Sequence, residues 1–191
     1  MKSYSSPLST TDLLRVFRAH PILNAAHVGV FPRDALADLT VHGRPRHLVY
    51  NVKASYEDDG AVGHWISIWL GEDTRAELVD SLGMKPMHPE VLSFLRRHAS
   101  TAVYTSRRLQ DWASNCCGLY CLSHALARAR GRYLQDWLAQ FTDCHKGNDS
   151  RIKCEFMQEL AFPSLFSPPI RGWQSAVARA CRPVGTCRQR N

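Results

Sequence analysis

The chain is 191 residues long, 45% hydrophobic and 21% charged, and carries a net charge of +7. That is enough apolar sequence for one domain with a real core, while no apolar run approaches the ~20 residues needed to cross a bilayer. The opening Met1-Lys2-Ser3-Tyr4 leads into polar sequence, which is not the pattern of a signal peptide. Seven cysteines, an odd number with Cys116 and Cys117 adjacent, argue against a secreted disulfide framework and for a reducing compartment. The charge excess comes mainly from arginine. It is either a solvated basic surface or an attraction for a polyanion, nucleic acid above all. No zinc-finger, helix-turn-helix or RNA-recognition motif accompanies it, so such binding is expected to ignore sequence.

Taken in order, Ser9-Thr10-Thr11-Asp12 before Leu13-Leu14-Arg15-Val16-Phe17 reads as a capped helix. Val28 to Pro32 reads as a short extended segment, Asp34-Ala35-Leu36 as a helical turn, and His47 to Lys53 as a strand. An acidic loop follows from Tyr56 to Gly60. His64 to Leu70 is a strand, Gly71 to Arg75 its turn, and Ala76 to Asp80 its partner. His88 to His98 reads as helix, Thr101 to Thr105 as strand, and Cys116 to Arg130 as a long buried helix. More helix is expected through Gln140 and from about Ser150 to Leu160. The composition shifts at Phe162: Pro163, Pro168 and Pro169 break the chain, and the sequence after Ile170 holds five arginines and no acidic residue. The expected organisation is one domain over residues 1–161 and a basic tail or strap over 162–191.

Two places in this order can do chemistry together. His64 and Asp80 are sixteen residues apart. A turn centred on Glu72 would set them directly opposite each other at one sheet end, with Cβ atoms ~5 Å apart. A carboxylate there would hold the imidazole's tautomer and stabilise its protonated form. Cys117 opens an apolar helix behind Ser114 and Asn115, both good N-cap residues. A thiol in a first helical turn meets unpaired N–H groups and the positive end of the dipole, which favours the thiolate. Gly118 would keep the space beside the sulfur open to a peptide. Gln110 stands seven residues upstream of Cys117. Its amide, with the Cys117 backbone N–H, would supply two donors to the oxyanion that thiol attack on a carbonyl creates. Cys116 is the positional rival, and Cys121, a turn further on, is expected to face the core. A zinc site from Cys117, Cys121 and His124, helped by Cys144-His145 or Cys154, lacks a paired C-x-x-C and is the weaker reading. No metal is expected.

Gly63-His64-Trp65, Val79-Asp80-Ser81-Leu82-Gly83 and Gln110 through Cys121, together with Val28 to Asp34, resemble the adenovirus protease (adenain) family and its relatives in adenovirus-like and Polinton-type elements. The resemblance spans about residues 28 to 125. It implies an α+β fold with a small, largely antiparallel sheet flanked by helices and the nucleophile at a helix N-terminus. It makes His64, Asp80 and Cys117 the triad and Gln110 the oxyanion donor, with Gly63, Trp65 and Gly118 on the substrate side. It further implies a monomeric thiol protease that cleaves virion precursor proteins near Gly-Gly sites in the host nucleus and virion, with DNA as an activator. Where the adenovirus enzymes carry Glu this chain has Asp80, as do the SUMO and ubiquitin-like proteases of the same clan; where those carry Asp before the nucleophile, it has Cys116. Removal of ubiquitin-like modifiers is therefore an alternative, as is an inactive nucleic-acid-binding relative. The adenovirus enzymes are also activated by a basic peptide disulfide-bonded upstream of the glutamine. Residues 98 to 109 contain no cysteine, but Gly172 to Cys181 resembles such a peptide, so that segment is either an activating strap built into the chain or a chance likeness in a basic tail.

Overall fold

The computed structural model describes residues 7–57 and 63–156. Its first helix, α1 (Thr10–Ala19), begins as its sequence requires: the Ser9 side chain accepts from the Asp12 amide and Asp12 returns the bond to the Ser9 backbone. Pro21 then starts a short α2 (Pro21–Ala26), which runs into β1 (His27–Pro32). A 3₁₀ turn over Arg33–Ala37 leads to β2 (Arg46–Asn51), followed by β3 (Trp65–Leu70) and β4 (Arg75–Val79). The remaining elements are α3 (Pro89–His98), β5 (Thr101–Tyr104), α4 (Cys117–Ala129), α5 (Leu134–Ala139) and α6 (His145–Glu155).

The fold is α+β, with five strands in the order β1-β2-β3-β4-β5. The sheet is mixed: its centre, β2-β3-β4, is antiparallel as expected, but the outer pairs β1-β2 and β4-β5 are parallel. Alternation along the central strands explains the layering. Val49, Trp65 and Val79 face a core shared with α1, α2, α4, α5 and α6. Leu48, Tyr50, Ile66, Ile68, Leu70 and Leu78 face a second core closed by α3 and the 3₁₀ turn. Every residue of β3 is therefore buried, as in sheets covered on both faces.

The β3–β4 register differs from the sequence expectation. Leu70 pairs with Ala76 and Ser67 with Val79, so the turn centres on Asp73 rather than Glu72. The cause is a tight turn closed by Gly71 N–H donating to the Arg75 carbonyl at 2.8 Å, with Thr74 in the left-handed region at φ 59°. Moving the centre by one residue moves the register by two, so every side chain keeps its face.

Helix α6 starts at His145, earlier than expected, and its expected continuation to Leu160 lies outside the described residues, as does the 162–191 tail. Cys116, Cys117 and Cys121 are free thiols, whereas Cys144 and Cys154 are disulfide-bonded, where the cysteine count had pointed to a reducing compartment. Standing ten residues apart on one helix, about 15 Å, these two do not bond each other. No described helix is long and apolar enough to cross a membrane.

Candidate active site

His64, Asp80 and Cys117 meet at one end of the sheet. Asp80 follows β4 and His64 precedes β3, each one residue outside its strand. In the observed register they are diagonal neighbours, not opposed ones, yet they share a face and bond: His64 Nε2 lies 2.7 Å from Asp80 Oδ1. The His64 and Cys117 side chains are also hydrogen-bonded. With Nε2 committed to Asp80, Nδ1 is the nitrogen left for the thiol. Burial works against a charge on His64, but the hydrogen bonds to Asp80 and Cys117, and their negative charge, outweigh it and raise its pKa to about 9.

Asp80 is held hard. It is 2% exposed, and its Oδ1 also accepts from Leu82 N–H at 2.8 Å. The Thr105 hydroxyl accepts from the Asp80 amide at 2.9 Å and donates to its carbonyl at 2.8 Å. Gly63, which delivers His64, has φ +77°, and a Cβ there would come within 2.2 Å of Asn51 Oδ1. Glycine is the residue that allows this approach.

Cys117 is the first residue of α4, as expected, but Ser114 and Asn115 do not take the cap position. It falls to Cys116, whose side chain makes no capping bond. The reason is local: Ser114 closes a turn onto the Asp111 carbonyl at 3.0 Å, and its own carbonyl is taken by Gln110 Nε2 at 2.7 Å. Of the free thiols, burial pushes Cys116 up to about 11 and Cys121 well above its ordinary value. Cys121 faces the core as expected.

Gln110 is 3% exposed, and its amide is oriented at both atoms. Oε1 accepts from the Ser81 hydroxyl at 2.7 Å, and Nε2 spends one hydrogen on the Ser114 carbonyl. The second Nε2 hydrogen is left for another acceptor. Gly118 does not open onto free space. A Cβ there would lie 3.2 Å from Leu8 and 3.4 Å from Trp65, and the Trp65 indole N–H donates to the Leu8 carbonyl at 2.8 Å. Trp65 and Gly118 thus form a wall with the segment before α1, while Gly63 is exposed. Beside Trp65, between the ends of β1 and β2, lies a cavity of about 180 Å³ lined by Val30, Phe31, Pro32 and Ala54 together with the polar Thr10, Asn51 and Lys53.

The chain shares its fold with ASFV pS273R protease. The match has a TM-score of 0.53 at 15% identity and covers 78% of this chain and 66% of that one. A selenomethionine structure of ASFV pS273R protease aligns with a TM-score of 0.42 at 20% identity, over 57% of this chain and 44% of that one. No protein-family model and no curated protein matches the chain.

The zinc alternative finds no geometry. Among the described residues no group of three or more His, Cys, Asp or Glu side chains could hold a metal ion. His124 instead bonds Ser67 Oγ at 2.7 Å and approaches Glu77 Oε2 at 3.4 Å. Sequence reasoning missed Thr105, Ser81 and Leu8. Thr105 and Leu8 act on the site from distant stretches of chain, and Ser81, though it stands beside Asp80 in the Val79–Gly83 motif, acts on Gln110, 29 positions away.

Proposed function

We propose that the protein is a cysteine endopeptidase with Cys117 as nucleophile, His64 as general base and acid, Asp80 as the orienting carboxylate and Gln110 as an oxyanion donor. The observation that carries the reading is His64 itself. It is hydrogen-bonded on one side to a buried carboxylate and on the other to a thiol at a helix N-terminus.

The proton that Cys117 gives up rests on His64 Nδ1 as the imidazolium before substrate arrives, and Sγ attacks the scissile carbonyl carbon. The resulting oxyanion is met by the second Nε2 hydrogen of Gln110 and the Cys117 backbone N–H, each donor worth roughly 10²–10³ in rate. His64 then protonates the leaving amine. A water molecule, deprotonated by the same imidazole, cleaves the thioester and frees the thiol. Asp80 stays ionised throughout and keeps the ring in the productive tautomer. The cavity beside Trp65 suits an apolar side chain of the substrate, and Gly63 lies on the path of its backbone.

The finer reading follows the adenain resemblance. The substrates would be precursor proteins of a virion, cut near Gly-Gly sites, in the host nucleus and the particle. DNA, a basic peptide or the chain's own 162–191 segment would act as activator. The test needs no known substrate: the iodoacetamide alkylation rate against pH, with peptide mapping, for wild type and His64→Ala, with and without duplex DNA. Selective labelling of Cys117 that is slowed in His64→Ala is the expected result. Labelling spread over several cysteines, unchanged by the mutation even with DNA, would overturn the enzyme reading and favour an inactive nucleic-acid-binding protein.

A further inference from the structure

Helix α6 buries the wrong kind of residue for a helix that only packs. Over its eleven residues it buries Asn148, Asp149 and Ile152. Hiding an amide and a carboxylate is costly unless each is bonded. Asn148 bonds the Thr142 backbone just before α6 at both its amide atoms, and its remaining bond meets those of Asp149 beside Gln110.

Gln110 sits in a stretch with no helix or strand, so nothing regular fixes it. On one side Ser81 holds it: the Ser81 carbonyl accepts from Leu109 N–H at 2.8 Å and Gln110 N–H at 3.0 Å, and the Ser81 hydroxyl orients the amide. On the other side α6 holds both neighbours of Gln110. The Leu109 carbonyl accepts from Asn148 Nδ2 at 2.9 Å, and the Tyr120 hydroxyl, 3.2 Å from that carbonyl, shares its single hydrogen between it and Asp149. The Asp111 amide donates to Asp149 Oδ2 at 3.2 Å, and Asp149 Oδ1 receives the Tyr120 hydroxyl at 3.0 Å. Tyr120 belongs to α4, one turn beyond Cys117, so the same bonds tie the Gln110 stretch to the nucleophile's own helix. Asn148 and Asp149 are 3% and 4% exposed, which keeps water from replacing these bonds.

We infer that Asn148 and Asp149, acting with Tyr120, are positioning residues that hold Gln110 in register with Cys117, so that α6 governs the acyl-transfer step. The inference rests on the proposed oxyanion role of Gln110.

Two probes of Cys117 separate positioning from general integrity. With p-nitrophenyl acetate, Sγ attacks the ester carbonyl, p-nitrophenolate leaves and an acetyl thioester forms through an oxyanion. With iodoacetamide, Sγ displaces iodide and no oxyanion arises. Tyr120→Phe, which keeps the ring in the core, and Asp149→Asn are expected to lower the acetylation rate by about ten-fold, the loss of one positioning bond. Their alkylation rate and melting temperature should stay near wild type. Gln110→Ala should lower acetylation at least as far.

If Gln110→Ala slows acetylation while both other variants acetylate at the wild-type rate, the inference is overturned and the protease reading stands. If the two variants lose alkylation and acetylation together, α6 is merely structural and the inference is again overturned. If Gln110→Ala acetylates as fast as wild type, the oxyanion role fails and carries the inference with it. Absence of selective Cys117 alkylation in the wild type would instead overturn the protease reading beneath both.

Discussion

A histidine whose pKa lies at about 9 is protonated through the neutral range, so His64 stands between Asp80 and Cys117 as an imidazolium. Two consequences follow with opposite uses. For stability, the folded pKa is raised above the unfolded 6.5, so the contribution is fully present below pH 6.5 and is lost as pH rises through about 9. For activity, the same deprotonation removes the proton needed by the leaving amine. Peptidase rate profiles should therefore show an alkaline limb near pH 9. Asp80→Asn should move that limb down by about one to two pH units, because a neutral amide no longer supports the charge. A limb that stays put in the mutant would show that another group sets it. Thr105→Val is the companion test of what holds Asp80. It removes two backbone bonds without changing side-chain volume much, and kcat/KM should fall about ten-fold with the alkaline limb unmoved.

Among the elements, α4 and the β3–β4 hairpin carry the site, and each was legible to a different depth. The hairpin's strands follow from alternation alone, and so do the faces of its residues. Its register does not, because Thr74 adopts a left-handed conformation that its residue type does not advertise. The beginning of α4 was legible from its apolar run. Its cap was not, since two better capping residues precede Cys116 and the Gln110 amide takes the Ser114 carbonyl instead. Elements also explain a vulnerability to acid. Beneath α4, His47 Nε2 meets Ser67 Oγ at 2.8 Å, and His27 of β1 stacks on Phe17 of α1 at 3.6 Å. Neither nitrogen of His27, nor His47 Nδ1, has a hydrogen-bond partner. The groups around them are His124 and Arg128 from α4, Glu77 from β4 and Arg18 from α1, whose cation adds to burial in opposing a charge on His27. Burial, first, lowers His27 to about 4 and His47 well below its ordinary value. Between pH 6.5 and about 4 the unfolded chain thus binds protons that the folded chain refuses, and stability must fall as pH falls. For His27 alone the loss is on the order of 3 kcal/mol. Urea midpoints at pH 7.5 and 4.5 should show it, and His27→Phe, which keeps the stack, should flatten the slope. An equal slope in that variant would assign the acid sensitivity elsewhere.

At the scale of the whole molecule, the net charge of +7 is the property most directly tied to a partner. Duplex DNA binding should ignore sequence and weaken by ten-fold or more between about 50 and 200 mM salt, the mark of counterion release. Fluorescence anisotropy on two unrelated duplexes checks this, and affinity that is unchanged by salt would argue against a polyanion role for the charge. The order of elements shows in local periodicity, while the α+β architecture was an implication of the family resemblance. The helix α6 network could not, since Asn148 and Asp149 read in sequence as ordinary solvent-facing residues. Only folding brings them to Leu109 and Asp111, some forty positions earlier.

Helix α4 buries eleven of its thirteen residues, and Cys117 is the first of them. The nucleophile is thus mounted on the element most of the interior is built around: Leu122→Ala, at a fully buried position, should cost 2–5 kcal/mol by the usual range for such truncations. For a lineage under mutation this ties heredity of the thiol to heredity of the fold. A descendant that abandoned chemistry but kept its shape would be free to lose His64 or Asp80, which sit just outside their strands, long before it could rewrite the helix behind Cys117. Loss of function in this lineage would therefore be written first at the ends of the central strands, and the cysteine helix would survive as its fossil.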